Sequence, residues 1–157
     1  MEEAPHEELL SGLQSDFPAP QYSLSADDSA LQVAVWGEKL VHSFLLQLRD
    51  KDADVRAVRW MNGEAESGAP YDFVVRTCDP QHREEVDVFV EVKTTRSRSK
   101  AFFEISRQQY DFALQHRHNY HLYRVFNAGD ERHVQIIKLV DVAKLLEEKH
   151  LRLCMVV

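Results

Sequence analysis

Apolar side chains at Leu31, Val35, Leu40, Val41, Phe44, Leu45 and Leu48 recur at the spacing of one helix face. The run Asp27-Asp28-Ser29 just before them supplies an N-cap. Gly37 inside the helix weakens it and marks a close backbone approach. The period then shortens to that of strands. VRAVRWM (55–61) and PYDFVVRTC (70–78) read as strands around the polar turn NGEAESGA (62–69). EVDVFVEVKTT (85–95) follows the turn 79–84, where Pro80 breaks pairing, and has the clearest alternation in the chain. Beyond the basic loop RSRSKA, residues 106–118 read as a helix capped by Ser106 and Gln109. NYHLYRVFN (119–127) and RHVQIIKLV (132–140) read as strands about the turn at Ala128-Gly129-Asp130. DVAKLLEEKH (141–150) reads as a helix, and RLCMVV as a last strand or an irregular end. The order α-β-β-β-α-β, then β-α, predicts an α/β fold: a mixed sheet flanked by helices.

Residues 1–26 carry three of the five prolines, several acids and no period. They read as a flexible acidic tail or linker ahead of one domain over 27–157. No apolar run is long enough to span a bilayer, and the acidic N-terminus resembles no targeting segment, so no membrane partner is expected. Two cysteines make no disulfide scaffold, which fits an intracellular setting, nucleus or cytoplasm. The net charge of −7 taken alone argues against nucleic acid. Its distribution reverses that inference. Residues 1–53 hold 10 acids and 3 bases, whereas 93–124 hold seven bases against Glu104 and Asp111, a local +5.

The strand 85–95 places Val86, Val88, Val90 and Val92 on one face, and Asp87, Phe89, Glu91 and Lys93 on the other. On the preceding strand Tyr71, Phe73 and Val75 share one face, and Asp72 shares the other with Val74 and Arg76. Pairing the two strands lets Asp72 approach Glu91, and two neighbouring carboxylates make a hard-oxygen site suited to Mg²⁺ or Mn²⁺. The Val92 carbonyl lies between Glu91 and Lys93 and adds a further ligand. Each piece has a plain structural reading too. Glu91-Val92-Lys93 is a common surface ion-pair pattern, Asp72 can be a turn acceptor, and Glu38 can belong to a polar helix face. His116, His118 and His121 offer weak zinc spacing. Tyr120, Tyr123 and Arg124 read as core more readily than as a base-stacking set, and Trp36 and Trp60 as core or rim.

A helical acid, an Asp on one strand, Glu-x-Lys on the next and then a helix resembles the PD-(D/E)XK nuclease superfamily, the restriction-endonuclease-like fold. The blocks W-x-N, ESGAPYDF, VEVKTT, FFEIS and YHLYRV resemble more narrowly the domain of unknown function at the C terminus of NO VEIN proteins. The resemblance covers residues 30–140 and implies the α-β-β-β-α-β core. It implies a metal-dependent nuclease in which Asp72 and Glu91 hold Mg²⁺ or Mn²⁺. Lys93 would stabilise the transition state and Glu38 support the metal or its water. Relatives often carry Glu near position 109, and Gln109 cannot act as a charged ligand. Arg96, Arg98, Lys100 and Arg107 would neutralise the backbone of DNA or RNA. A catalytically silent module on the same fold, binding nucleic acid or a protein, remains the alternative. Other domains of a longer parent chain, or a protein meeting the acidic N-terminus, are further partners the reading allows.

Overall fold

Ser29 caps the first helix, α1 (Ala30–Lys51), through a capping box with Gln32, and Arg49 and Lys51 complement the dipole in its last turn. The computed structural model describes residues 7–9 and 23–156. The buried stripe of α1 runs through Val33, Trp36, Gly37, Leu40, Val41, Phe44 and Leu45. Leu31, expected on that face, is exposed, because at 100° per residue it lies off the stripe.

The strands are β1 (Glu7–Leu9), β2 (Val55–Trp60), β3 (Phe73–Cys78), β4 (Glu85–Thr94), β5 (Tyr120–Phe126) and β6 (Gln135–Val140). They form one sheet in the order β1-β6-β5-β4-β3-β2. Helix α2 (Arg107–His116) makes the crossover between β4 and β5, the parallel pair. The other neighbouring strands are antiparallel. Helix α3 (Val142–Glu147) follows β6. Most of 1–26 lies outside the described residues.

The two sheet faces bury separate cores. Val75, Val90, Val92, Val125 and Ile136 pack under α1. Ala113 of α2, Leu145 of α3 and Tyr120, Leu122 and Leu139 pack on the opposite face. Faces assigned by alternation hold inside the strands. They fail at Tyr71, which packs against Phe89 and Phe112 on the α2 face instead of sharing a side with Phe73. Alternation does not apply there because β3 begins only at Phe73. Residues 150–156, one reading of which was a last strand, are irregular.

Gly37 meets the close approach its position predicts. A Cβ there would overlap Thr94 Oγ1 and lie 2.8 Å from Thr94 Cβ. Helix α1 therefore sits down on the end of β4, which brings Glu38 toward the strand carrying Glu91 and Lys93.

Candidate active site

The irregular segment 66–72 before β3 presents Asp72 to β4. The Asp72 N–H donates to the Val90 carbonyl at 2.8 Å, and the Asp72 carbonyl accepts from Met61 N–H at 2.8 Å. Tyr120, fully buried, donates its hydroxyl to the Pro70 carbonyl at 3.1 Å, which pins the segment from beneath. The ladder between β3 and β4 ends at Phe73 and Val90, so β4 runs on past its neighbour and leaves an open edge. Into this edge Val92 N–H donates to Asp72 Oδ2 at 2.8 Å. The N–H and C=O of one strand residue point to the same side, so the Val92 carbonyl faces that edge as well.

The structure brings Glu38, Asp72, Glu91 and Lys93 together. Asp72 is 8% and Glu91 4% exposed. Lys93 Nζ stands 2.9 Å from Glu91 Oε1. Burial pushes the Asp72 carboxyl up to about 8, with Glu91 and Glu38 adding to the rise and Val92 N–H and Lys93 opposing it. Burial likewise raises Glu91, against the pull of Lys93. Glu38 is raised by burial too, against a hydrogen bond from Trp60. Asp72 and Glu91 thus share one ammonium, with the Glu38 carboxyl adding negative charge to both, an arrangement short of positive charge.

Three residues outside the expected set complete the site. Trp60 Nε1 donates to Glu38 Oε2 at 2.9 Å, so this tryptophan holds a carboxylate as well as filling the core rim. Asn62 Nδ2 donates to Asp72 Oδ1 at 3.0 Å. Gln109 closes the capping box of α2 with Ser106, and its side chain reaches further. Its Nε2 donates to Glu91 Oε1 at 2.6 Å and its Oε1 accepts from Lys93 Nζ at 3.0 Å. An amide can serve both partners at once because it carries a donor and an acceptor; a carboxylate there would repel Glu91. The sequence did hold signals for these: the W-x-N block and the cap position.

The donor set suits a hard divalent cation, whose charge would offset the acid surplus. Among the described residues no three His, Cys, Asp or Glu side chains are gathered as a metal site. An ion would therefore rest on Asp72, Glu91, the Val92 carbonyl and water, as Mg²⁺ commonly does with one or two carboxylates.

The basic residues are placed less uniformly. Arg96, Arg98 and Lys100 are exposed on the loop after β4. Arg96 also donates to the Ser25 carbonyl. Arg107 is exposed but paired with Asp111 at 2.9 Å. Arg117 pairs with Asp141 and Glu147. Arg124 is buried, as are Tyr120 and Tyr123. The local +5 therefore overstates the open positive surface. His116 stacks on Phe112 at 3.9 Å, while His121 Nε2 faces the His118 carbonyl, so these rings serve packing and loop geometry.

A family model described as Protein NO VEIN, C-terminal matches residues 37–137. The chain is 28% identical over 117 residues to Protein NO VEIN-LIKE of Arabidopsis thaliana, covering 74% of this chain and 16% of that protein. It is 27% identical over 124 residues to Protein NO VEIN of the same plant, covering 79% of this chain and 4% of that protein. The chain thus spans under a fifth of the length of either relative.

Proposed function

The chain belongs to the NO VEIN C-terminal family, and on that premise we propose that it hydrolyses phosphodiester bonds of nucleic acid as a metal-dependent nuclease of the PD-(D/E)XK type. The observation carrying this reading is the pair of buried carboxylates, Asp72 and Glu91, at the open edge of β4 with Lys93 in contact. A structural ion pair needs no second buried acid, and burying one is costly unless something offsets its charge.

Asp72, Glu91 and the Val92 carbonyl would hold Mg²⁺ or Mn²⁺. When bound, such an ion polarises a phosphate oxygen and lowers the pKa of water. Lys93 puts an ammonium beside the site where negative charge builds during phosphoryl attack. Gln109 fixes the Glu91 and Lys93 side chains relative to one another, so neither must reorganise. Trp60 and Asn62 hold Glu38 and Asp72 in the same way. Arg96, Arg98 and Lys100, exposed on the loop after β4, would meet a flanking backbone, with Arg107 free to join them only by leaving Asp111. Lys93→Ala should abolish Mg²⁺-dependent cleavage and leave the fold intact. Unchanged cleavage in that variant would reject Lys93.

One observation favours a silent binding module instead. Both oxygens of Asp72 and Oε1 of Glu91 already accept hydrogen bonds within the protein. A Mg²⁺ or Mn²⁺ titration of thermal stability separates the readings. The nuclease reading expects the ion to stabilise wild type and not Asp72→Asn.

A further inference from the structure

A groove of about 990 Å³ lies on the α2 and α3 face of the sheet, roofed by the loop 98–105 and walled by the irregular residues 150–156. It borders the candidate site. Arg124 of β5, which lines it, is the register partner of Lys93 on the adjacent strand. Tyr110, also lining it, directly follows Gln109.

The groove is apolar with a cationic cast. Phe102, Phe103, Tyr110 and Phe126 contribute rings, and Phe102 is 50% exposed. Arg98, Arg124 and Arg152 stand against one acid, Glu104. Arg124 is 5% exposed. Its guanidinium lies over Phe103 at 4.6 Å and Phe126 at 4.9 Å, and it donates to the Lys100 carbonyl at 2.6 Å. Among the described residues no carboxylate pairs with it, although a buried guanidinium normally has one. Burial lowers its pKa with no acidic neighbour opposing. Arg124 is thus held by the fold, while the exposed Arg98 and Arg152 in the same groove as the open Phe102 ring suit an anion that carries aromatic surface.

We propose that this groove binds an unpaired stretch of nucleic acid, its bases on the Phe102 side and its backbone phosphates on the exposed Arg98 and Arg152, next to the Lys93 site. This rests on the nuclease reading for its biological sense and makes single-stranded nucleic acid the substrate class. A duplex hides its base faces and cannot use the rings, whereas a single strand gains stacking from each exposed base. The alternation of rings and arginines is what such a strand requires, since stacking tolerates any base while the phosphates follow the cations.

The test is fluorescence anisotropy at low salt, with EDTA present so that cleavage does not interfere. The probes are fluorescein-labelled oligo-dT and oligo-U of about 12 nucleotides and a duplex of equal length. At least one single strand should bind about tenfold or more tightly than the duplex. Phe102→Ala, at an exposed position, should weaken that binding about fivefold or more. Equal or tighter duplex binding, no loss in Phe102→Ala, or no binding of either single strand would overturn the inference. Binding of the apolar anion anilinonaphthalene sulfonate while both strands fail would also overturn it, and would assign the groove to another amphiphilic anion. Absence of cleavage with any metal, together with retained Phe102-dependent binding, would reject the nuclease reading alone.

Discussion

Raising the pH should destabilise the metal-free protein, chiefly through Asp72, with the raised Glu91 and Glu38 acting in the same direction. The Asp72 carboxyl moves from 3.8 in the ordinary state to about 8 in the fold, first through burial and then through Glu91 and Glu38. Between those values folded Asp72 keeps a proton that the unfolded chain has released. The unfolded state then binds fewer protons, so the free energy of unfolding falls as pH rises. At about 1.36 kcal/mol per unit the whole shift sets a ceiling of roughly 6 kcal/mol. Two donors aimed at Asp72, the Val92 N–H and Asn62 Nδ2, favour the ionised form. The acids also take up protons jointly, so about half the ceiling, ~3 kcal/mol, is the expected loss. The loss is complete above about pH 8, and the group contributes no pH dependence well below its unfolded value. Urea unfolding in EDTA at stepped pH, read by the fluorescence of Trp36 and Trp60, measures it. Asp72→Asn should flatten most of the slope. Mg²⁺ at the alkaline end should restore stability to wild type and not to the variant. Equal stability near pH 5 and pH 8, or the same slope in Asp72→Asn, would refute this account of the site.

Other perturbations test the frame around it. Gly37→Ala gains up to about 1 kcal/mol of helix propensity but drives a methyl into Thr94, so a net loss of about 1–2 kcal/mol is expected in urea unfolding. A stabilised variant would show that α1 and β4 are less closely packed. Gln109→Leu removes half of the α2 capping box and the bridge between Glu91 and Lys93. It should cost about 1–2 kcal/mol and lower any cleavage, measured on the same preparation. Arg76 and Asp87 form a two-bonded pair on the sheet surface, with side chains 51% and 35% exposed. Arg76→Ala should change stability by no more than about 1 kcal/mol, and a larger loss would mean that the pair is shielded from solvent.

Gly37 and Asp72 show how far the chain can be read before it folds. Apolar spacing located α1 and the strand carrying Glu91 and Lys93, because helix and strand periods are local properties of the backbone. A glycine within a strong helix pattern announced close packing, though not that Thr94 is what packs there. Alternation put Glu91 and Lys93 on one face and Val90 and Val92 on the other, and the two cores confirm that split. The same rule misplaced Tyr71, since it holds only where the chain is a strand.

Charge was legible as a sum and as a run, but its availability was not. Arg124 counts toward the local +5 in sequence and is a buried side chain in the fold. Trp60 with Glu38, Asn62 with Asp72, and Gln109 with Glu91 join residues 22, 10 and 18 positions apart. No local period encodes such contacts; they exist because β3 stops short of β4 and α1 and α2 close over the gap from opposite faces. By itself the sequence determined the three helices and strands β2 to β6, the faces within those strands, and the acids and lysine of the candidate site; it did not show β1. Only the tertiary structure decided which neutral side chains hold those acids, which arginines stay open to a ligand, and that an apolar groove lies one strand away from Lys93.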